Sequence, residues 1–326
     1  MVFDSIPALK ITFEIVFPII LLVLLVVILI SSLRHRKKDV KFMSFDEFLK
    51  SWMIEHGQGY RLEEVIEQAK KDPMGGLYMP ITYKGGKIFA KLGFTANKVS
   101  LLNLILSFFI LYLTIMAGDG HFLNLYSQQP FYGAILLPTA FLVLFTGIID
   151  GIDGAIARLL YKQTKSGGWL DAIIDRISDI LTLVCLVPGG FLILPQYGID
   201  FTWLIWTNIF IIFLYEYMRA KHHEVGFHEI KPQLGERPAR VLIQATFYMI
   251  YGISSFTVML TYMMNPTGTL EATIWYSSHT WVVTWIMLIF QISLFVIMSM
   301  SIIKYGLWIW RKLKDLDKQT GSNKEE

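Results

Sequence analysis

The sequence predicts an all-α membrane protein: a core of six transmembrane helices preceded by one extra amino-terminal transmembrane helix. Three observations carry that prediction. Hydrophobic residues make up 54% of the 326-residue chain and charged residues only 17%, which leaves more apolar surface than a water-soluble chain can cover. The stretch Ile15 to Leu33 holds no charge and is long enough to cross a hydrocarbon core of about 30 Å. Apolar stretches then recur at 99–117, 131–161, 169–194, 202–222, 238–263 and 280–309, each of spanning length.

Residues 1–33 form the first element. Glu14 precedes its apolar run, Arg34-His35-Arg36-Lys37-Lys38 follows, and no small-residue cleavage site intervenes. This pattern favours a retained anchor with its amino terminus outside over a cleaved signal peptide. Residues 34–94 form a cytoplasmic helical appendage. Within it Ser44-Phe45-Asp46-Glu47 reads as a capping box opening a helix that ends near Gly57, and Arg61 to Lys71 as a second short helix. Lys87 to Phe94 alternates basic and apolar residues, as an interfacial helix does. Residues 95–310 hold the six-helix core, and 311–326 a polar cytoplasmic tail.

The loops orient the core. Segments 118–130, 195–201 and 264–279 contain no Lys or Arg, so the basic residues after Lys98 fall on the opposite side, which the positive-inside rule makes cytoplasmic. The net charge of +3 is too small to imply a nucleic-acid partner, and the single cysteine, Cys185, supports neither a disulfide framework nor a cysteine metal site. His222, His223 and His228 read as interface residues, because adjacent histidines on a helix point about 100° apart. Trp203, Trp206, Trp275, Tyr276, Trp281, Trp308 and Trp310 read as interfacial belts.

The chemistry is concentrated in Asp150-Gly-Ile-Asp153-Gly154-Ala-Ile-Ala157-Arg158 and Gly167-Gly-Trp-Leu-Asp171-Ala-Ile-Ile-Asp175-Arg176-Ile-Ser-Asp179. Asp150 and Asp153 are three apart and Asp171, Asp175 and Asp179 four apart, so each set shares one helix face. A short polar loop joins the two helices, which predicts antiparallel neighbours with their acidic faces together. Clustered carboxylates repel and cost several kcal/mol to desolvate unless a cation neutralises them. Five aspartates beside only two arginines exceed what internal pairing can satisfy, so a divalent cation is the simple solution. All-oxygen ligation suits Mg²⁺, or Mn²⁺, acting on a substrate diphosphate. Gly154 and Ala157 leave one face nearly bare, and Arg158 adds a guanidinium fork suited to phosphate oxygens.

These residues fill every fixed place of Asp-x2-Asp-Gly-x2-Ala-Arg-x8-Gly-x3-Asp-x3-Asp, and the chain resembles the CDP-alcohol phosphotransferase family over about residues 93 to 310. The resemblance implies a transferase that moves the phospho-lipid group of a CDP-linked lipid onto an alcohol and releases CMP. It makes Asp150, Asp153 and Asp171 metal ligands, and Asp175 a general base that also touches metal. It turns Gly154 and Ala157 toward the cytidine and Arg158 toward the diphosphate, with Gly167 and Asn97 on the nucleotide side. Thr95-Ala96-Asn97-Lys98-Val99-Ser100 stands where family members often carry Pro-Asn-x-x-Thr. The resemblance also implies a homodimer in the bilayer.

The acceptor is either a neutral alcohol, served by the base alone, or an anionic one that needs cations. Arg176, Arg219, Lys221, Arg237 and Arg240 supply them at the cytoplasmic helix ends, where Lys and Arg also collect by snorkelling. The strings Asp175-Arg176-Ile-Ser-Asp179, Tyr217-Met-Arg219-Ala-Lys221 and Glu236-Arg237-Pro-Ala-Arg240 resemble those of the phosphatidylinositol-phosphate and archaetidylinositol-phosphate synthase branch. That likeness implies inositol 1-phosphate as the acceptor. Two rival classes, a prenyltransferase with aspartate-bound Mg²⁺ and a divalent-ion transporter, give no reason for Gly154, Ala157 and Arg158 at these offsets.

Overall fold

The computed structural model describes residues 11–36, 40–55, 67, 78–118, 132–226, 231, 233–265 and 268–322. Among these the chain is helical almost throughout. The main helices are α1 (Phe17–Leu33), α2 (Phe45–Glu55), α3 (Met79–Lys91), α4 (Ala96–Ala117), α5 (Leu136–Leu159), α6 (Lys165–Val184), α7 (Thr202–Glu224), α8 (Arg237–Met264) and α9 (Tyr276–Ser322). A π-helical turn, Thr12–Val16, leads into α1. The protein is an all-α, multi-pass membrane protein.

Among the described residues, five segments are long and apolar enough to cross a bilayer: Thr12–Leu33, Ala96–Ala117, Leu136–Leu159, Arg237–Met264 and Tyr276–Asp317. Helices α6 and α7, at 20 and 23 residues, have spanning length but carry the charges of the site. Helix α6 stops ten residues before the expected end of its apolar run, because Pro188-Gly189-Gly190 turns the chain. Beyond that turn Ile193–Leu194 pairs antiparallel with Ile199–Asp200 around Gly198, whose φ is +65°. This two-stranded patch is an addition to the all-α expectation.

Helix starts follow local capping. Thr95 caps α4, accepting from Lys98 N, and Thr164 caps α6, accepting from Gly167 N at 3.1 Å. Ser44 and Glu47 form the expected capping box on α2: Ser44 N donates to Glu47 Oε2 at 2.9 Å and Glu47 N to Ser44 Oγ at 3.3 Å. Gly57, His228 and all of the proposed helix Arg61 to Lys71 except Glu67 lie outside the described residues.

Helix α4 packs on both α5 and α6, α5 on α8 and α3, α7 on α6 and α9, and α8 on α9. The main core gathers Ile110, Leu136, Val143, Tyr215, Tyr248 and Phe290 from five of these helices. Helix α1 lies outside it against α4, tied by Lys98 Nζ to Ser31 Oγ at 2.8 Å. Gly93, at φ +89°, makes that seam possible, since a Cβ there would lie 2.2 Å from Ser32 O.

Three expectations change. The first part of the interfacial segment at 87–94, through Lys91, belongs to a longer helix, α3, which begins at Met79 and packs on α5. Gly86 permits the approach, as a Cβ there would meet Leu159 and Ala155 at 2.9 and 3.0 Å. His222 is a core residue, 3% exposed, with Nδ1 2.9 Å from Tyr305 Oη and Trp308 edge-on to its ring. Trp308 therefore faces inward, while Trp203, Trp206, Trp275, Trp281 and Trp310 are exposed as a belt requires.

Helices α5 and α6, though joined by a short loop, scarcely touch; both lean on α4 instead. A turn at Tyr161, with φ 51°, ends α5 and redirects the chain. The space between α5, α6 and the start of α8 is where the charged residues meet.

Candidate active site

The aspartates meet in pairs across that gap. Asp153 of α5 faces Asp171 of α6, and Asp150 faces Asp175. Asp153 is 3% exposed and accepts from Ser100 Oγ at 2.6 Å; Asn103 Nδ2 approaches Asp150 Oδ1 at 3.4 Å. Both partners come from α4, the helix that separates α5 from α6 at the backbone. The predicted face-to-face arrangement of acids is therefore present, but a third helix mediates it.

Arg237, at the first position of α8, sits among them. Its guanidinium is in ion-pair contact with Asp150 and Asp175, and its Nε lies 3.4 Å from Asp179 Oδ1. Asp175 Oδ1 and Arg237 Nε are both buried without a hydrogen bond of proper geometry, despite those contacts. Arg237 thus places one positive charge in a cluster of negative ones, with a hydrogen bond from Nη1 to Asp150 Oδ1 and none from Nε. Among the described residues no three acidic, His or Cys side chains converge closely enough to coordinate one ion as they stand. The donor set nevertheless suits a hard divalent cation: four carboxylates on two helix faces, one with a buried oxygen lacking a hydrogen bond.

The remaining arginines are already paired. Arg240, with a side chain 7% exposed, bonds Asp179 Oδ2 and Gly235 O, both at 2.7 Å. Arg176 lies 3.1 Å from Glu216 and 3.2 Å from Asp179, and Arg219 lies 2.9 Å from Glu236. Tyr215 also donates to Glu236 at 2.9 Å. Lys221 points away, exposed and paired with Glu224 at 2.7 Å. Sequence counting set five aspartates against two arginines because it considered only α5 and α6. Helix α8 adds Arg237 and Arg240, and the acids Glu216 and Glu236 balance the arginines in turn. Glu216 had a legible signal, a carboxylate inside the apolar stretch 202–222.

The predicted nucleotide side is equally compact. Arg158 folds back over Gly154, where a Cβ would lie 2.9 Å from Arg158 Nη1. At the helix starts, a Cβ on Gly167 would lie 3.4 Å from Asn97 Oδ1, so the first turns of α4 and α6 adjoin. Ala157 is partly buried on the same turn as Gly154. Tyr78, just before α3, brings its hydroxyl to 3.5 Å from Gly147 O and against Gly151. Neither Tyr78 nor Glu55, which binds Arg158, carried a sequence signal, because both come from the appendage.

A groove runs from Arg176 and Asp179 down Ile180, Leu183, Ile209, Ile212 and Phe213, between α6 and α7. Its polar end opens onto the arginine cluster and its other end is wholly apolar.

The chain belongs to the CDP-alcohol phosphatidyltransferase family, whose model matches residues 94–296. It is an enzyme of phospholipid biosynthesis that takes a CDP-linked lipid and an alcohol acceptor at the membrane. The family is in general divalent-metal dependent. The chain is 30% identical to the archaetidylinositol phosphate synthase of Pyrococcus horikoshii over 158 residues, 48% of this chain and 71% of that protein. It is 32% identical to the archaetidylinositol phosphate synthase of Methanothermobacter thermautotrophicus over 111 residues, 33% of this chain and 51% of that protein. A bifunctional IPC transferase and DIPP synthase of Archaeoglobus fulgidus is 30% identical over 113 residues, 34% of this chain and 22% of that protein.

Proposed function

We propose that this enzyme transfers the phospho-lipid group of CDP-diacylglycerol or CDP-archaeol onto inositol 1-phosphate, releasing CMP, in a cavity open to the cytoplasm. The observation that carries the acceptor is a connected group of guanidiniums: Arg176, Arg237 and Arg240 each contact Asp175 or Asp179, and Arg219 joins Arg176 and Arg240 through the shared carboxylate of Glu216. A neutral polyol needs no such group of guanidiniums, whereas a phosphate takes two or three of them in bidentate contact. The relatives' names point to the same acceptor class. The lipid tails would enter sideways from the bilayer.

Asp150, Asp153, Asp171 and Asp175 would hold Mg²⁺, which would offset negative charge on the diphosphate and ease loss of CMP. Asp175 accepts the proton of the attacking hydroxyl. Its carboxylate faces both the acid cluster and Arg237, so base and acceptor phosphate are positioned together. Ser100 and Asn103 orient Asp153 and Asp150 from α4. Arg158 steadies the diphosphate, and Gly154 and Ala157 let the cytidine approach the α5 backbone. Glu216 and Glu236 keep the arginines extended until the acceptor arrives and takes over those contacts.

Steady-state kinetics on Arg219→Ala test this reading. Arg219 touches neither the aspartates nor Arg158, so acceptor KM rises by about tenfold or more, as loss of a charge-assisted bond requires. KM for the CDP-lipid stays where it was. Equal effects on both substrates would count against an acceptor role.

A further inference from the structure

Helix α2 lies outside residues 94–296, yet its last residue enters the site. Glu55 Oε2 accepts from Arg158 Nε at 2.8 Å and pairs with Arg158 Nη2, while Gln163 Nε2 donates to Glu55 Oε1. Within α2 the Ser51 hydroxyl donates to Glu55 Oε1 at 3.5 Å. The charged partner, Arg158, comes from 103 residues away.

The appendage is held firmly enough to present that acid. The capping box starts α2, and Phe48, Leu49 and Met53 bury against Ala155 and Leu159 of α5. Tyr78 adds a second contact at Gly151, so the segment before the family domain reaches α5 at two levels. The Glu55 side chain is still 37% exposed, against 11% for Arg158. Water and an incoming anion can reach the contact from the Glu55 side.

We propose that Glu55 sets the affinity of the nucleotide site: its carboxylate holds Arg158 in place of the diphosphate, and the CDP-lipid binds by exchanging one anion for the other. The inference rests on the reading of Arg158 as the diphosphate ligand. The apparent affinity of the nucleotide is then reduced by the fraction of protein in which Glu55 holds the fork.

The test uses the full chain in detergent with Mg²⁺ and CDP as the probe, titrated calorimetrically. Glu55→Gln keeps the size of the side chain and a hydrogen bond to Arg158 but removes the charge, and α2 stays anchored by its apolar residues. Its Kd for CDP falls by roughly fivefold, the scale of one partly exposed ion pair, and KM for the CDP-lipid falls with it while acceptor KM does not move. Arg158→Ala serves as the control on the underlying reading, and it loses CDP binding. CDP binding that depends on Arg158 but is no tighter in Glu55→Gln overturns the inference alone. CDP binding indifferent to Arg158→Ala removes both.

Discussion

Arg237 on α8 is in ion-pair contact with Asp175 on α6, and the same guanidinium reaches Asp150 on α5. One cation thus joins two helices whose backbones scarcely meet. It partly neutralises a carboxylate cluster that would otherwise repel itself, and it stands where an added cation is most strongly attracted. Replacing it with an uncharged side chain leaves the acids uncompensated. Arg237→Met therefore binds Mn²⁺ about tenfold tighter by paramagnetic resonance titration, while acceptor KM rises. Weaker Mn²⁺ binding would show that Arg237 supports the acids and does not compete with a metal for them.

Asp150→Asn, Asp153→Asn and Asp171→Asn each remove one donor of the paired set. Each abolishes CMP release and weakens divalent binding, and chelation of the wild type reproduces the loss. Wild-type turnover in any two of them would contradict a shared metal site.

Asp175→Asn keeps the shape of the side chain but accepts no proton. CDP-lipid binding survives, and turnover falls by at least about 10²-fold. Normal turnover would move the base to another group, with Asp179 next along the same face.

Arg240 differs from its neighbours in being held at 2.7 Å by both Asp179 and Gly235 O with a side chain 7% exposed. Arg240→Ala leaves Asp179 and the Gly235 carbonyl without that partner, and costs stability on the order of 3 kcal/mol. Thermal unfolding in detergent reads the difference, and Arg219→Ala is the comparison that scarcely moves.

Gly154→Leu collides with the Arg158 guanidinium, the far end of a flexible side chain, and not with backbone. The helix therefore survives, with a propensity that if anything improves, while CDP binding is lost. Unfolding, or unchanged CDP affinity, would place this face elsewhere than at the nucleotide.

Much of this was legible in the sequence because it depends on periodicity and on punctuation. Ser44 and Glu47, three apart, cap α2 as their spacing implies, and the aspartates share faces at the helical period. What escaped depends on which helices pack together. The loop between α5 and α6 implied contact between them, but the small and polar residues Ser100 and Asn103 let α4 take that place. His222 looked interfacial because adjacent histidines on a helix diverge by about 100°, although it turns inward to Tyr305. Glu55 gave no sign at all, since its meaning lies in a partner 103 residues away.

The acceptor proposed for this enzyme is phosphorylated. The most direct measurement offers purified protein CDP-lipid, Mg²⁺ and equal concentrations of inositol and inositol 1-phosphate, and weighs the lipid product while following CMP. CMP is released and the lipid product retains the acceptor's phosphate. A phosphate-free product would contradict the proposed acceptor.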